Sequence, residues 1–232
     1  MLSALNAPID TDEVEAALAK CSANSAPGAD CIPFKVLKAF GPGLMACLTV
    51  LYNACLSGGH LPTQWLHSSV APLFKGDPVK CRSKTNEVNN YRGISLLETM
   101  SKLLEKIVLE RLVHFVSRYC PLSDTQHGFT PRRDAPTHVA SLVEILRQSI
   151  CNSAVTFMDA RKAFPSAPHC SIITALWNRG VAGRIMNLCV TFLTGYSSHV
   201  VIADSSSASY PVLRGVPEGA ILSPFFYAVF LD

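Results

Sequence analysis

Val155-Thr156-Phe157-Met158-Asp159-Ala160-Arg161-Lys162-Ala163-Phe164 is the stretch on which the reading of this chain turns. Val155 to Met158 is a short β-branched and aromatic run, which predicts a buried strand. It ends on a carboxylate and gives way to a polar loop. Two helical patterns follow, at about 168–179 and 183–194. A carboxylate at a strand end, beside a loop and a helix, is a common way to hold Mg²⁺ near a phosphate. An aspartate in such a place more often simply caps the segment that follows it. From these ten residues alone both roles stand.

Downstream, 196–203 and 210–213 flank a Ser-rich link and predict a hairpin. Arg214-Gly215-Val216-Pro217-Glu218-Gly219 is a turn whose glycines let backbone approach a flat partner or simply make a tight connection. A last helix is expected from Ser223-Pro224. Upstream, Asp10 to Glu13 is a capping box for a short helix with Val14, Ala17, Leu18 and Cys21 on one face. Pro33 opens a second, Leu44 to Leu56 suits a buried third, and Gly58-Gly59 stops it. Residues 69–74 have strand character, turned by Lys75-Gly76-Asp77-Pro78, and the polar stretch to Asn90 reads as a surface loop. Ser95-x-x-Glu98 predicts a capping box before the cleanest helix, with Met100, Leu103, Leu104, Ile107, Val108, Leu112, Phe115 and Val116 in a core stripe. A similar helix is expected over 137–150. Helices and antiparallel strands in blocks, without βαβ alternation, give an α+β fold.

Composition narrows the function. The chain has 232 residues, 49% hydrophobic and 16% charged, so a wholly disordered chain is excluded. The net charge of +3 permits a nucleic-acid partner without demanding one. No apolar stretch reaches the ~20 residues that span a bilayer. No secretory leader is seen, so an intracellular protein is expected. The nine cysteines are odd in number and lack C-x-x-C spacing. They read as free, mostly buried thiols rather than a disulfide or zinc framework.

Other candidates are weaker one by one. Lys75 and Arg92 adjoin strand-like segments and could reach a phosphate, or be solvated surface charges. Arg132-Arg133 beside Gly128-Phe129 could track a nucleic-acid backbone.

Taken in order, the blocks resemble the reverse transcriptase of non-LTR (LINE-type) retrotransposons. Ala26-Pro27-Gly28-Ala29-Asp30 with Ile32-Pro33 is similar to that family's K-A-P-G-x-D-G-I-P element. Pro72-Leu73-Phe74-Lys75-Gly76-Asp77 is similar to P-[IL]-[FY]-K-K-G-D. Asn90 to Leu97, running into Lys102-Leu103-Leu104-Glu105-Lys106, is similar to Y-R-P-I-S-L-L followed by K-[IL]-[LF]-E-K. Gln126-His127-Gly128-Phe129 is similar to Q-x-G-F. Phe157 to Phe164 resembles motif A, and Arg214 to Pro224 resembles motif B. The likeness spans about residues 10–232.

The resemblance implies a right-hand polymerase: an N-terminal helical extension (1–58), fingers (59–150) and a partial palm (151–232), with the thumb absent and 59–232 as the reverse transcriptase domain. It implies RNA-directed DNA synthesis from dNTPs on an RNA template and a DNA primer, with two Mg²⁺ ions. Asp159 and the carbonyl of Ala160 would be metal ligands, and the metals would activate the primer 3′-hydroxyl. Lys75, Arg92, Phe164, Glu218 and Gly219 would meet the dNTP, with Phe164 as the gate against a 2′-hydroxyl. Gln126, Gly128, Phe129, Arg132 and Arg133 would contact nucleic acid. A nuclear location is implied for the parent element.

Departures are visible. Ser25 stands for a lysine, Gly93 for the Pro of Y-R-P, Pro165 for an Asp, and Glu218 for the motif-B Gln. The aromatic-Ala-Asp-Asp block of motif C does not occur before Asp232. Two readings follow: a segment of a polymerase, or a catalytically dead retroelement remnant that at most binds nucleic acid. A group II intron maturase fits the A-P-G-x-D and Y-R-G-I-S-L-L blocks less well.

Overall fold

A computed structural model describes residues 2–76, 86–149 and 153–232. Asp77, Pro78, most of the polar loop before Asn90, and Ile150 lie outside the described residues.

The N-terminal helices are α1 (Leu2–Leu5), α2 (Thr11–Lys20), α3 (Phe34–Ala39) and α4 (Pro42–Gly58). Asp10 caps α2, its Oδ1 accepting the Glu13 N–H at 2.8 Å. Pro42 opens α4 and Gly59, at φ +66°, closes it in the left-handed region. The Gly59 carbonyl accepts the Thr191 hydroxyl at 2.6 Å, which ties this end to α9. One face of α4 is not covered: Val50 is 72% exposed.

The central helix is α5 (Thr99–Tyr119), and its predicted stripe is core, with Leu103, Leu104, Ile107 and Leu112 fully buried. The predicted capping box at its start is absent. Glu98 is the N-cap residue without a side-chain cap bond. Its carboxyl faces Asp30 of the N-terminal loop instead, and burial together with that second carboxyl raises its pKa. The same loop is pinned by the Lys102 ammonium, which donates to the Ala26 carbonyl at 2.5 Å. Arg111, further along α5, donates to the Ala7 and Pro8 carbonyls and to both oxygens of Glu13.

The sheet contains β1 (His67–Phe74), β2 (Tyr91–Leu96), β3 (Ser197–Ile202), β4 (Ser205–Ser206) and β5 (Tyr210–Pro211). Its order is β2-β1-β3-β4, with β5 also on β3. The predicted hairpin exists as β3 against β4 and β5. The sheet is mixed, however, and not antiparallel throughout. β1 pairs β2 antiparallel with Leu73 opposite Arg92, but pairs β3 in parallel with Ser68 opposite Ser198. A parallel pair needs a long crossover, here supplied by everything between 74 and 197.

Beyond α5 come α6 (Ala135–Gln148), α7 (Ala163–Ser166), α8 (His169–Asn178), α9 (Arg184–Thr194) and α10 (Ser223–Leu231). Helix α6, expected over 137–150, is capped by Asp134 and starts at Ala135, but none of its residues is buried. The predicted strand at Val155–Met158 does not form. That segment is coil, with Phe157 86% and Met158 94% exposed. A strand exists only in a ladder, and none of β1 to β5 pairs with it. Asp159 therefore does not end a buried strand.

All seven described cysteines are free, as expected. Only Cys21, Cys55 and Cys189 are buried, so the thiols are not mostly buried. No described helix is long and apolar enough to cross a membrane.

Candidate nucleotide site

The loop at 214–222 is held at both ends, and this organises the candidate residues. At its start, Gly215 (φ +84°) lies so close to Pro165 that a Cβ would fall 2.6 Å from its backbone. Gly215 N–H donates to the Ala167 carbonyl at 2.8 Å, and Val216 N–H to the Phe164 carbonyl at 3.0 Å. The Gly215 carbonyl lies 2.6 Å from Nε2 of buried His169, which makes Nε2 the donor. Arg214 Nε donates to the Ser166 carbonyl at 2.9 Å. Sequence reasoning assigned His169 no role; a histidine at a helix start carries no signal of a backbone contact 46 residues away.

At its far end the loop seats on β2. Ser95 N–H donates to the Glu218 carbonyl at 2.6 Å. Gly219 (φ +126°) leaves 2.4 Å between a hypothetical Cβ and the Ser95 carbonyl oxygen, so only glycine fits. Arg92, two strand positions in from the tip, reaches the Glu218 carboxylate, Nε to Oε2 3.1 Å. Arg92, Glu218 and Gly219 are thus one cluster. Lys75 continues β1 beside it, its N–H bonded to the Asn90 carbonyl and its ammonium to that of Asn89.

The departure at 218 now has a physical account. A carboxylate where an amide is usual adds a negative charge, and Arg92 compensates it. The side chains are 59% and 26% exposed, so the pair contributes at most about 1 kcal/mol to stability. In a polymerase that carries this segment within the length its relatives have, Glu218→Gln should leave the apparent KM for nucleotide within about threefold, or raise it, in a nucleotide titration on a primed RNA template. A tenfold fall would mean that the carboxylate repels the triphosphate unpaired.

Phe164 and Phe129 also meet. The Phe164 ring stacks on Tyr227 at 5.0 Å and takes the edge of Phe129 at 5.7 Å. Phe129 and Arg132 adopt positive φ, and with Arg133, Val113, Leu122 and Phe225 they line a cavity of about 470 Å³. Gln126 folds back to the Gly128 carbonyl, and Arg133 pairs with Asp124 at 2.7 Å and bonds the Gln126 carbonyl. In this arrangement both brace their own loop.

Asp159 and Ala160 are exposed and share no hydrogen bond or ion pair with this cluster. Two Mg²⁺ ions require several oxygen donors each. Among the described residues no three His, Cys, Asp or Glu side chains are gathered to hold a metal ion. A lone exposed carboxylate does not fit a two-ion centre by itself.

Comparison with known proteins bears on the whole chain. The sequence pattern of the reverse transcriptase (RNA-dependent DNA polymerase) family matches residues 82–232. The chain is 30% identical over 97% of its length to a putative 115 kDa protein in the type-1 retrotransposable element R1DM of Drosophila melanogaster, covering 21% of that protein. It is 25% identical over 96% of its length to the RNA-directed DNA polymerase from mobile element jockey of the same fly, covering 24% of it. It is 27% identical over 97% of its length to the Pol polyprotein of type-1 element R2 of Popillia japonica, covering 30%. The chain thus spans between a fifth and a third of the length of these relatives. It belongs to the reverse transcriptase family, as a segment of the non-LTR retrotransposon type.

Proposed function

We propose that this segment forms the nucleotide-facing part of an RNA-directed DNA polymerase that extends a DNA primer on an RNA template with dNTPs. The observation that carries the reading is the clamped loop. Gly219 is wedged on β2 beside the Arg92–Glu218 pair, and Gly215 is wedged on the turn that bears Phe164. The Arg92–Glu218 pair and the Gly219 backbone are therefore tied to one end of the loop, and the turn that bears Phe164 to the other. In this reading β1 and β2 belong to the fingers (59–150), and the loop, Asp159 and Phe164 to a partial palm (151–232). Within the N-terminal extension (1–58), α1 and α2 pack on α5, and the thumb lies outside the segment.

Each residue then has a task it can perform physically. Arg92 and Lys75 bring positive charge to a triphosphate from a rigid strand pair. Gly219 lets the base approach backbone. Phe164, backed by Tyr227, walls off the sugar. Phe129 and Arg132 face nucleic acid from the loop that Gln126, Gly128 and Arg133 brace. Asp159 and the Ala160 carbonyl are donors toward Mg²⁺, which the described residues alone do not enclose. The parent element's location in the nucleus belongs to the same proposal.

The test is sugar choice. In a polymerase carrying this segment within the length its relatives have, Phe164→Val should raise ribonucleotide relative to deoxyribonucleotide incorporation by roughly tenfold or more, since one steric contact is worth about 1–3 kcal/mol. Single-nucleotide kinetics with paired dNTP and rNTP measure it. An unchanged ratio would leave Phe164 as a core aromatic stacked on Tyr227 and remove the sugar from this place.

A further inference from the structure

Glu105 is the most deeply buried carboxylate among the described residues, at 1% exposure. The motif block that contains Glu105 gives it no task, and it sits on an amphipathic helix among leucines. Its Oε2 accepts two backbone N–H groups, Ile221 at 2.8 Å and Leu222 at 3.0 Å, more than a hundred residues away. Those two amides end the loop that carries Glu218 and Gly219, with only Ala220 between. The other oxygen, Oε1, and the Tyr196 hydroxyl are buried without a hydrogen-bond partner. Glu105 and Tyr196 line a cavity of about 10 Å³ with Val216 and Phe226.

The geometry points to Glu105 as a positioning residue that holds the 214–222 loop in register on β2. Three facts join in it. The loop's other far anchor, Ser95, lies on β2, and α5 begins three residues beyond the end of that strand. Ser95 and Glu105 therefore belong to one continuous strand–helix piece, and the loop is clipped to it twice. Between the clips sits Gly219, which has no space to shift toward Ser95. The inference rests on the reading of this loop as the nucleotide-facing one, but the clip itself does not.

The chemistry of the clip adds a pH dependence. Burial pushes the Glu105 carboxyl up to about 7, against the pull of the two loop N–H groups and of Lys102 one turn earlier on α5. The other ionisable groups facing this region are the Tyr196 hydroxyl and Glu98. Opening the loop would wet the carboxyl and return it toward 4.5, with release of a proton. A group whose pKa is raised in the closed state favours that state below the open-state pKa and loses the advantage as pH rises through the closed-state pKa. The loop should be held most firmly near pH 4.5–5 and loosen up to about 7, then level off.

Hydrogen exchange read by mass spectrometry on the full chain, at low micromolar concentration, tests this. Glu105→Met keeps size and removes the acceptor. Exchange in peptides covering 215–226 should rise tenfold or more, while α5 and α8 keep their protection. Glu105→Gln keeps an acceptor oxygen for both amides and removes the titration. Its loop should stay as protected as wild type at pH 5 and show no pH dependence beyond intrinsic chemistry. Wild type, so corrected, should loosen roughly tenfold or more from pH 5 to 7.5. Glu105→Met within twofold of wild type, equal acceleration of loop and helices, or Glu105→Gln as fast as Glu105→Met would each overturn the proposal. So would a wild-type loop flat in pH, and that comparison needs no variant to fold. In the polymerase, Glu105→Met should raise KM for dNTP more than it lowers kcat. Loss of the clip without that KM change would leave the positioning intact and refute the nucleotide reading of the loop.

Discussion

Asp159→Asn in a polymerase carrying this segment should lower primer extension by about 10²–10⁴-fold, the size expected when several kcal/mol of transition-state stabilisation is removed. Asparagine keeps the shape and one oxygen of the side chain but not its charge. Because Asp159 is exposed and makes no hydrogen bond or ion pair among the described residues, the fold has no stake in it. The melting temperature should move by no more than a few degrees. A steady-state extension assay paired with a thermal melt separates the two effects. Near-normal extension by the variant would remove Asp159 from the chemistry, and a large loss of stability would show that it is a structural cap after all.

The second large effect concerns the 232-residue chain by itself. It should show no primer extension at any Mg²⁺ or Mn²⁺ concentration, with at most weak, salt-sensitive RNA binding. The described residues bring one exposed carboxylate to a centre that needs several donors. The same chain should self-associate as its concentration rises, or melt with little cooperativity. Phe157 and Met158 stand almost fully in solvent, and α6 exposes Val139 at 56% and Ile145 at 65%. Apolar surface of this kind invites association. Sedimentation across a concentration series measures it, and replacing Phe157 and Met158 with serine should reduce it. A monodisperse monomer with a sharp melt would contradict the folding half. Template-dependent extension would contradict the catalytic half.

What could be read from the sequence was local. The Asp10 cap, the Gly58-Gly59 end of α4, the stripe of α5 and the Ser223 start of α10 all follow from short-range chemistry, and the structure has them, although α4 starts at Pro42 rather than at Leu44. The misses are contacts across long stretches. The parallel pairing of β1 with β3 joins residues 130 apart, for which no local pattern exists. Val155–Met158 has strand composition, but a ladder decides a strand, and composition does not supply the partner. Glu98 fits a capping box by spacing, yet its carboxyl turns to Asp30.

The candidate site divides in the same way. Arg92 and Glu218 were each legible as candidates beside a nucleotide, and the departure at 218 left open whether its carboxylate is paired; the ion pair with Arg92 settles that. Glu105 could not be read, since a glutamate in a helix looks like a solvent-facing charge until the loop that buries it is in place.

The central claim is that this segment belongs to an enzyme that copies RNA into DNA. Single-turnover incorporation by a polymerase carrying it, with each dNTP offered alone against each of the four template RNA bases, tests that claim most directly. The account predicts that the complementary dNTP is added at least about a hundredfold faster than the others at every template base, and that Asp159→Asn suppresses all of it. Incorporation indifferent to the template base, or unaffected by Asp159→Asn, would contradict it.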